Sequence, residues 1–194
     1  MEIDPGTAEG MYRTMTSLIV PRPIGWISTR SPDGEDNLAP YSFFGALNEE
    51  SPPVLMYSAE DWEDGSTKDS VVNALETEAF VHNLVTMDLL EAMDRTSEDA
   101  NGSEFDVAGL DAEPAATVDA SRVAQAKAHM ECSLYNSVRL GDHTLVLGEV
   151  EQIHVDDDLL DEDGKVDFRK VDAVGRLTGR YYARLEIVEV DREW

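Results

Sequence analysis

The sequence predicts a mainly β fold, an antiparallel Greek-key barrel with helices packed against its outside. Short segments rich in β-branched and aromatic residues recur along the chain, and Gly, Pro, Asn and Asp separate them. Many short strands with few long helices are typical of a closed or nearly closed barrel. At 194 residues, of which 42% are hydrophobic, the chain can bury a core of its own. We therefore expect one domain spanning residues 1–194.

In the first half of the chain, strands alternate with short helices. We predict helices over residues 7–16, 69–78 and 89–95 and strands over 24–29, 38–46, 54–58 and 80–85. Pro32 and Gly34 occupy positions that a type I turn favours, so a turn at residues 31–34 joins the first two strands. Asp69 or Ser70 can cap the second helix.

The second half begins with a polar stretch and then becomes strongly β-patterned. Residues 96–118 predict a long surface excursion, because they are polar and contain two glycines and a proline. We predict a short helix over 120–126, strands over 128–139 and 143–154, and a final strand over 179–190. Leu140-Gly141-Asp142 predicts a hairpin turn between the two long strands. The prediction of the final strand rests on the alternation of the residues GRYYARLEIVEV between two faces.

The chain is strongly acidic, with 41 Asp and Glu against 15 Lys and Arg and a formal net charge of -26. Binding to nucleic acid or to an anionic membrane needs a basic face, so we expect neither as a partner. The acid is spread along the whole chain, which favours adaptation to a salt-rich cytosol over a local acidic interaction surface. At about 1 M salt the Debye length falls to roughly 3 Å, so self-repulsion is largely screened.

The cysteine content and the first residues bear on the compartment. Cys132 is the only cysteine, so no intramolecular disulfide can form, and the chain has no C-x-x-C motif. The first ten residues, MEIDPGTAEG, lack the basic and apolar regions of a signal peptide, and no apolar run approaches about 20 residues. We expect a protein of the reducing cytoplasm.

Several familiar motifs are absent or incomplete. The thirteen glycines form neither G-x-G-x-x-G nor a P-loop. A calcium-like stretch would place Leu159 and Lys170 at the two ends of the loop, where carboxylates are needed. His129 and Glu131 share one strand face while Cys132 lies on the other, so an ordinary strand with a buried thiol is favoured over a metal site. We expect no metal.

Single histidines and serines give no sign of acid–base or nucleophilic catalysis. His82 and His143 lie in or beside strand-like runs, where a hydrogen-bonded or surface histidine is more common than a ligand. Ser28, Ser42 and Ser70 lie in no nucleophile elbow, so hydrolysis is not predicted.

Lys68 is the cation whose placement is most informative. It is one of four lysines and immediately precedes a predicted helix start at Asp69 and Ser70. The N–H groups and the dipole of a helix N-terminus favour an anion, and the Ser70 hydroxyl adds a donor. A phosphate group is therefore the predicted ligand. The alternative is an N-capped helix that carries a surface lysine.

Four segments carry a family resemblance. They are PRPIGWIST (21–29), NLAPYSFF (37–44), KDS (68–70) with Asn73 and FVHNL behind it, and VGRLTGRYYARL (174–185). In this order and spacing they resemble the flavin reductase-like family, whose relatives include flavoredoxins and archaeal ferric reductases with an FMN-binding split β-barrel. The resemblance spans most of the chain and is weakest between residues 96 and 125. It implies a split barrel that holds FMN without a covalent bond.

The resemblance also implies which residues contact the FMN. They are Arg22, Pro23, Ile24, Ser28, Thr29, Asn37, Ala39, Ser42, Lys68, Asp69, Ser70, Asn73 and Arg176, with Asn83 as a weaker candidate. Proline-bearing segments suit this role, because Pro40 is expected to disrupt a regular ladder and leave neighbouring backbone groups for a ligand. We expect Trp26, Phe43 and Phe44 to pack in the core instead.

Within this set, the resemblance assigns parts of the flavin. Arg22, Pro23 and Ile24 would lie near the ring, Ser28 and Thr29 near the ribityl chain and phosphate, and Asn37, Ala39 and Ser42 along the flavin, with Ala39 contributing backbone groups. The chain departs from the family pattern at Thr178, where the family often has glycine, and at Ser70, where it usually has threonine. The contacts of Arg176 depend on the path of the chain at Thr178.

The implied activity is that of an oxidoreductase. NAD(P)H would pass a hydride to N5 of the bound FMN, and electrons would go on to free flavin, ferric iron, oxygen or a partner protein. No catalytic side chain is required, because the flavin carries the chemistry. Two alternatives stay open: a non-enzymatic FMN-binding electron carrier or sensor, and an interaction module with a vestigial pocket. The resemblance also implies a homodimer with FMN near the subunit interface.

Overall fold

The computed structural model describes residues 2–97 and 102–191. The strands are β1 (Gly25–Arg30), β2 (Asp36–Tyr41), β3 (Phe44–Asn48), β4 (Val54–Glu60), β5 (Ala79–Asn83), β6 (Ala112–Pro114), β7 (Ser121–Val123), β8 (Ala128–Leu140), β9 (His143–Val155), β10 (Val174–Arg176) and β11 (Tyr182–Arg184). The helices are α1 (Met11–Leu18), α2 (Asp69–Glu76), α3 (Leu90–Arg95) and α4 (Glu104–Ala108).

Seven of these strands form one antiparallel sheet in the order β2-β1-β5-β8-β9-β4-β3. Its two edge strands, β2 and β3, are consecutive in the chain, and only Ser42 and Phe43 separate them. The sheet therefore curls until its edges meet at this corner, where the Ser58 N–H of β4 donates to the Phe43 carbonyl at 2.8 Å. The predicted mainly β split barrel is confirmed.

Two hydrophobic clusters lie on opposite faces of the sheet. The first packs the barrel strands against α2 and comprises Ile27, Leu55, Tyr57, Ala59, Val71, Ala74, Phe80, Cys132 and Val146. The second packs β1 and β2 against α3, α4 and the segment before β8, and comprises Ile24, Trp26, Leu38, Val85, Leu89, Met93, Phe105, Ala108, Leu110, Val123, Ala126 and Val174. Trp26 and Ile27 are neighbours in β1 yet belong to different clusters, as the alternation of strand side chains requires.

Three of the core predictions are confirmed. Trp26 is fully buried, and its indole N–H donates to Thr96 Oγ1 at 2.9 Å. Phe44 packs against the first cluster. Cys132 is a fully buried thiol, and burial raises its pKa well above the usual range, so the thiol stays protonated. The β8–β9 hairpin also forms as predicted, in pairing that runs from Ala128 opposite Val155 to Leu140 opposite His143.

Two predicted boundaries near the first helix and the second strand are wrong for local reasons. The helix begins at Met11 and not at residue 7, because Thr7 and Ala8 donate to the Asp4 carbonyl in a separate turn and Gly10 has a left-handed φ of 70°. The predicted strand over 38–46 is two strands, since the chain leaves one sheet edge after Tyr41 and enters the other at Phe44.

Two predicted elements of the second half are also wrong. Residues 120–126 contain the strand β7 instead of a helix, because Ser121 and Val123 alternate into the core and pair with β6. The excursion over 96–118 contains α4 and β6 in its described part.

The predicted final strand over 179–190 is shorter than expected. Only β11 within it pairs, with β10, and Leu185, Ile187, Val188 and Val190 are more than half exposed. Alternation alone does not supply a strand with a neighbour.

Candidate functional site

The cavity that holds the largest number of predicted contacts, called the main cavity below, lies where β2, the corner after it and the start of α2 come together. Its volume is about 360 Å³, within the range of small-molecule pockets. Six predicted FMN contacts from two separate segments line it: Asn37, Ala39, Ser42, Lys68, Asp69 and Ser70. The other lining residues are Tyr12, Pro40, Tyr41, Phe43, Ser58, Glu60, Trp62, Thr96, Ser97, Gly102, Glu104 and His143. The fold thus brings together most of the second and third resemblance segments.

The β2 strand lies at one edge of the sheet, so one side of its backbone has no strand partner there. There the Leu38 N–H donates to Glu104 Oε2 at 3.2 Å. Because antiparallel pairs alternate, the backbone of Ala39 faces β1, and the outward carbonyls are those of Leu38 and Pro40. Pro40 leaves the β1–β2 register continuous, so the prediction that it disrupts the ladder is wrong. Its missing N–H would have pointed away from β1, which an edge strand tolerates.

The N-terminus of α2 meets the cavity wall beside Lys68. No side-chain hydrogen bond caps this helix, so the predicted cap by Asp69 or Ser70 is wrong. The first N–H groups of an α-helix have no partner within the helix. Lys68 Nζ lies over the Trp62 ring, 2.8 Å from its centroid. A cation and the positive end of a helix therefore lie together at one end of the cavity.

Ser70 is almost completely buried and connects α2 to two tyrosines. Its hydroxyl is hydrogen-bonded to that of Tyr41, and the Tyr57 hydroxyl donates to the Ser70 carbonyl at 2.9 Å. The two tyrosine rings stack with centroids 5.1 Å apart. Burial raises the pKa of Tyr41 to about 12, although the bond to Ser70 opposes the shift. Both phenols are therefore neutral at pH 7, and Ser70 as a phosphate donor stays a prediction.

Arg22 is 4% exposed and ties three segments together. Its Nη1 donates to the carbonyls of Thr16 at 2.6 Å and Ile19 at 3.1 Å, and its Nη2 donates to the Leu177 carbonyl at 2.7 Å. Its Nε donates to Ser42 Oγ at 3.2 Å. All three guanidinium nitrogens are therefore bonded within the protein. Arg22 holds the cavity residue Ser42 in place, and its predicted contact with the flavin ring stays a prediction.

Ser28 and Thr29 are fully buried in β1 and line none of the described cavities. Asn83 Nδ2 donates to Ser28 Oγ at 3.0 Å, and Ser28 Oγ donates to the Ser121 carbonyl. Asn73 Nδ2 donates to Thr29 Oγ1 at 3.3 Å. These polar side chains satisfy one another inside the fold. Their predicted contacts with the ribityl chain and phosphate stay predictions.

Two of the cavities that adjoin the main one hold three of the seven other predicted contacts. Asn73 lines a cavity of about 670 Å³ that shares Asn37 and Asp69 with the main cavity. Ile24 and Arg176 line a cavity of about 160 Å³. This smaller cavity shares Tyr12, Pro40, Tyr41, Ser42 and Ser97 with the main one. Pro23 is exposed and, like Arg22, lines none of the three.

Sequence reasoning missed the aromatic mouth of the main cavity. Phe43 was predicted to pack in the core, but it is only half-buried and lines the cavity. Its ring centroid lies 6.4 Å from that of Tyr12 on α1 and 6.0 Å from that of His143 at the start of β9. Only the closing of the sheet brings these three together. Glu104 and Trp62 were missed for the same reason, since no local pattern marks them.

The histidines differ from one another in their surroundings. His82 is buried, its Nδ1 has no hydrogen-bond partner among the described atoms, and burial lowers its pKa to about 3. The prediction of a hydrogen-bonded or surface histidine is therefore wrong for His82, which is neutral at pH 7. His143 Nδ1 lies 3.3 Å from Ser58 Oγ at the cavity wall. Within residues 2–97 and 102–191, no three His, Cys, Asp or Glu side chains are grouped to hold a metal ion.

The curled sheet and the cavity between β2 and the start of α2 define a split-barrel protein with a small-molecule pocket. The chain belongs to the flavin reductase-like family, because the profile of the Flavin reductase like domain matches residues 15–174. No helix in the described part of the chain is long and apolar enough to cross a bilayer.

Individual relatives extend the comparison over nearly the whole chain. An uncharacterized protein of Aquifex aeolicus (strain VF5) is 43% identical over 176 residues, which cover 90% of this chain and 89% of the relative. The structure of nitrilotriacetate monooxygenase component B from Bacillus cereus has a TM-score of 0.91 at 28% identity and covers 98% of each chain. That of 2-nitrobenzoate 2-nitroreductase NbaA from Pseudomonas fluorescens has a TM-score of 0.90 at 29% identity, over 100% of this chain and 96% of the other.

The cofactor of this family is a flavin, and the residues of the cavity fit one. Lys68 and the uncapped start of α2 suit a phosphate. Tyr12, Tyr41 and Phe43 supply the aromatic walls that a planar ring system needs. The Ser42 hydroxyl and the outward backbone carbonyls of β2 supply polar groups for the edge of such a ring. Family membership and the chemistry of the pocket accordingly indicate flavin-related oxidation–reduction.

Proposed function

We propose that the protein binds FMN without a covalent bond and transfers a hydride from NAD(P)H to it, from which electrons pass to an acceptor. The observation that carries the proposal is the position of Lys68 beside the uncapped N-terminus of α2, in the same cavity as Asn37 and Ser42. A terminal phosphate dianion such as that of FMN gains both the cation and the helix end. The bound flavin supplies hydride acceptance and electron delivery.

The residues of the chain then have binding and positioning roles. Lys68 and the first N–H groups of α2 hold the phosphate. Asn37 and Ser42 offer polar contacts to the flavin, and Arg22 fixes Ser42 through its Nε. The neutral Tyr41 at the cavity wall adds no negative charge near the cofactor. Phe43 at the mouth limits access of water.

The family resemblance supports the class of reaction and not a particular acceptor. Free flavin, ferric iron, oxygen and a partner protein are each compatible acceptors, because no side chain of the cavity selects among them. The relatives from Bacillus cereus and Pseudomonas fluorescens carry the names of a monooxygenase component and of a nitroreductase. These names support an enzyme over the two alternatives, an electron carrier or sensor without nicotinamide activity and an interaction module with a vestigial pocket.

The test is an absorbance spectrum of the protein purified in high salt, followed by anaerobic addition of NADH and then NADPH. Oxidised-flavin bands that bleach with a nicotinamide support the oxidoreductase. Bands that bleach only with dithionite support the carrier or sensor. No bands after incubation with FMN contradict flavin binding. Released cofactor, separated by chromatography against FMN and FAD standards, distinguishes the two flavins.

We further propose that the protein works as a homodimer in a salt-rich, reducing cytoplasm. Large apolar side chains of α1 and of the segment after β11 are exposed, among them Leu18 at 78% and Val188 at 77%, and a second copy of the chain would cover them. The buried thiol of Cys132 suits a reducing compartment. Light scattering in molar salt measures the mass, and a monomer at micromolar concentration contradicts the dimer.

A further inference from the structure

Arg22 and Arg176 are directly opposed on neighbouring extended segments. The Arg22 N–H donates to the Arg176 carbonyl at 2.9 Å, and the Arg176 N–H donates to the Arg22 carbonyl at 2.8 Å. Side chains of directly opposed residues lie on the same face of an antiparallel pair, where like charges destabilise. Burial, and then the charge of Arg176, lowers the pKa of Arg22. The fold thus keeps two like charges together.

Neither arginine has an ion pair with a carboxylate in the part of the chain that the structure describes. Five other arginines have such pairs: Arg30, Arg122, Arg139, Arg169 and Arg184. Among the described arginines, Arg13, Arg95 and Arg180 also have none. With 41 Asp and Glu against 15 Lys and Arg, a shortage of acids does not explain the difference. The nitrogens of Arg22 are bonded to protein oxygens, whereas Arg176 Nη1 is buried and has no hydrogen-bond partner among the described atoms. A buried, unpaired donor of a charged group is costly, so a ligand oxygen is the partner that would satisfy it.

The cavity that Arg176 lines has the size of one aromatic ring. Its volume is about 160 Å³, and an apolar cavity of about 150 Å³ holds benzene. Tyr12, Tyr182 and Met93 supply ring-packing surfaces. The Arg176 guanidinium lies 4.5 Å from the centroid of the Tyr182 ring, which holds it in place.

Polar groups of the cavity favour an anion over a neutral ring. Ser42 Oγ accepts from Arg22 Nε, so the Ser42 hydroxyl hydrogen is directed to another acceptor. The Tyr182 hydroxyl donates to Asp94 Oδ1 at 2.6 Å, so the carboxylate of Asp94 is hydrogen-bonded to this phenol. Burial, followed by the bond to Asp94, raises the pKa of Tyr182 to about 12, although the charge of Arg176 and its hydrogen bond with this phenol oppose the shift. The phenol therefore brings no negative charge.

We propose that this cavity is a subsite for a small aromatic acid, whose carboxylate binds Arg176 Nη1 and the Ser42 hydroxyl while its ring packs against Tyr12 and Tyr182. The subsite shares a wall with the main cavity, and in assigning the acid as a substrate beside the flavin the proposal rests on the proposed function. Binding of the acid itself depends only on residues of the smaller cavity.

The experiment is a calorimetric titration of the purified protein with benzoate and with benzamide, its neutral counterpart, both before and after loading with FMN. We expect benzoate to bind roughly tenfold more tightly than benzamide or better, since hydrogen bonds to charged groups are the stronger ones. We expect this preference with and without FMN. Equal binding of the two probes, or no binding of either, overturns the subsite.

Variants assign the preference to Arg176. Arg176→Gln is expected to remove it and Arg176→Lys to retain part of it, while Arg180→Gln, which changes an exposed arginine nearby, leaves it intact. A preference that survives in Arg176→Gln overturns the assignment. If benzoate binds the flavin-free protein and FMN abolishes that binding, the flavin itself occupies Arg176, and the separate subsite is overturned. If FMN never binds but the benzoate preference is present, the subsite stands and the proposed function fails.

Discussion

The Val123 N–H donates to Asn83 Oδ1 at 2.8 Å, and this contact ties the short strand β7 to the barrel strand β5. The amide of Asn83 is fully buried, and its Nδ2 donates to the Trp26 carbonyl at 3.1 Å and to Ser28 Oγ at 3.0 Å. One side chain thus joins three segments that are distant in sequence. These bonds give Asn83 a structural role, and its weaker prediction as a flavin contact stays a prediction.

Asn83→Ala is therefore expected to lower the free energy of unfolding by roughly 1–3 kcal/mol, because it leaves the buried Val123 N–H without its acceptor. Asn136→Ala, which changes an exposed asparagine of β8, should stay within about 0.5 kcal/mol of the parent. Denaturant unfolding at constant salt measures both. Equal stability of the two variants would show that the Asn83 bonds contribute nothing net.

Gly148 of β9 gives a second prediction for the stability of the fold. A Cβ placed there would lie 2.3 Å from Phe80 Cε1 and Cζ and 2.9 Å from Cys132 Cβ, and Phe80 is fully buried. Gly148→Ala should therefore destabilise by about 1–3 kcal/mol through overpacking. Gly45→Ala in β3 is the matched control, since its Cβ would meet only Met56 Cε at 4.0 Å. Thermal midpoints of the two variants measure the difference. Equal stability of Gly148→Ala and Gly45→Ala would contradict the close packing of Phe80 against Gly148.

The sequence predicted elements whose signals are local. The β8–β9 hairpin has long alternating strands and a glycine turn at Gly141, and the first strand is bounded by prolines and by the turn at residues 31–34. The end of the second strand cannot be predicted in this way, because no residue pattern within 38–46 indicates the corner at Ser42. That corner exists because two sheet edges meet there.

The remaining errors come from partners that lie far away in the chain. Whether residues 120–126 are a strand depends on β6 and on Asn83, and no periodicity over seven residues contains that information. Residues after Arg184 alternate but lack a strand partner among the described residues. At the site, the predicted helix start indicates Lys68 as a binding residue. The cavity mouth around Phe43 forms only when the barrel closes, so the local sequence does not predict it.

Glu131 gives a prediction for pH. Its carboxylate is fully buried and accepts from the Ala116 N–H at 2.9 Å and from the Thr117 N–H and hydroxyl at 2.7 Å each. Burial acts to raise the pKa of Glu131, but these bonds outweigh it, and the pKa lies below its usual range. His154 Nε2 lies 2.8 Å from Glu131 Oε1 and adds an attraction when protonated.

A depressed folded-state pKa stabilises the fold above the unfolded-state value of about 4.3 and loses that contribution as the pH falls through the lower folded-state value. Glu131→Gln should therefore cost roughly 1–3 kcal/mol at neutral pH and less below pH 4. Glu162→Gln, in an exposed loop, should change neither. Unfolding measured from pH 7 to pH 3 in molar salt tests this, and a penalty that does not shrink in acid contradicts the assigned role.

The net charge of -26 predicts a strong dependence on salt. Self-repulsion acts over about 30 Å at 10 mM salt and about 3 Å at 1 M, so the thermal midpoint should rise markedly over this interval. Measurement in sodium chloride and in potassium chloride separates screening from an effect of one cation. A midpoint that does not change between millimolar and molar salt contradicts the adaptation to salt.

Lys68 gives the sharpest test of the cofactor site. Lys68→Glu replaces a cation at the start of α2 with a carboxylate, so it removes a charge-assisted contact to the phosphate and adds repulsion. We expect the Kd for FMN to rise at least about tenfold. Lys68→Arg should recover part of the affinity, and Lys165→Glu, the same charge change in an exposed loop, should leave it unchanged. Fluorescence titration of the flavin-free proteins with FMN measures all three.

Riboflavin, which lacks the phosphate, is the control ligand. It should bind the parent and Lys68→Glu with similar affinity, because the substitution acts on the phosphate contact that riboflavin does not make. Unaltered FMN affinity in Lys68→Glu would place the phosphate elsewhere in the fold.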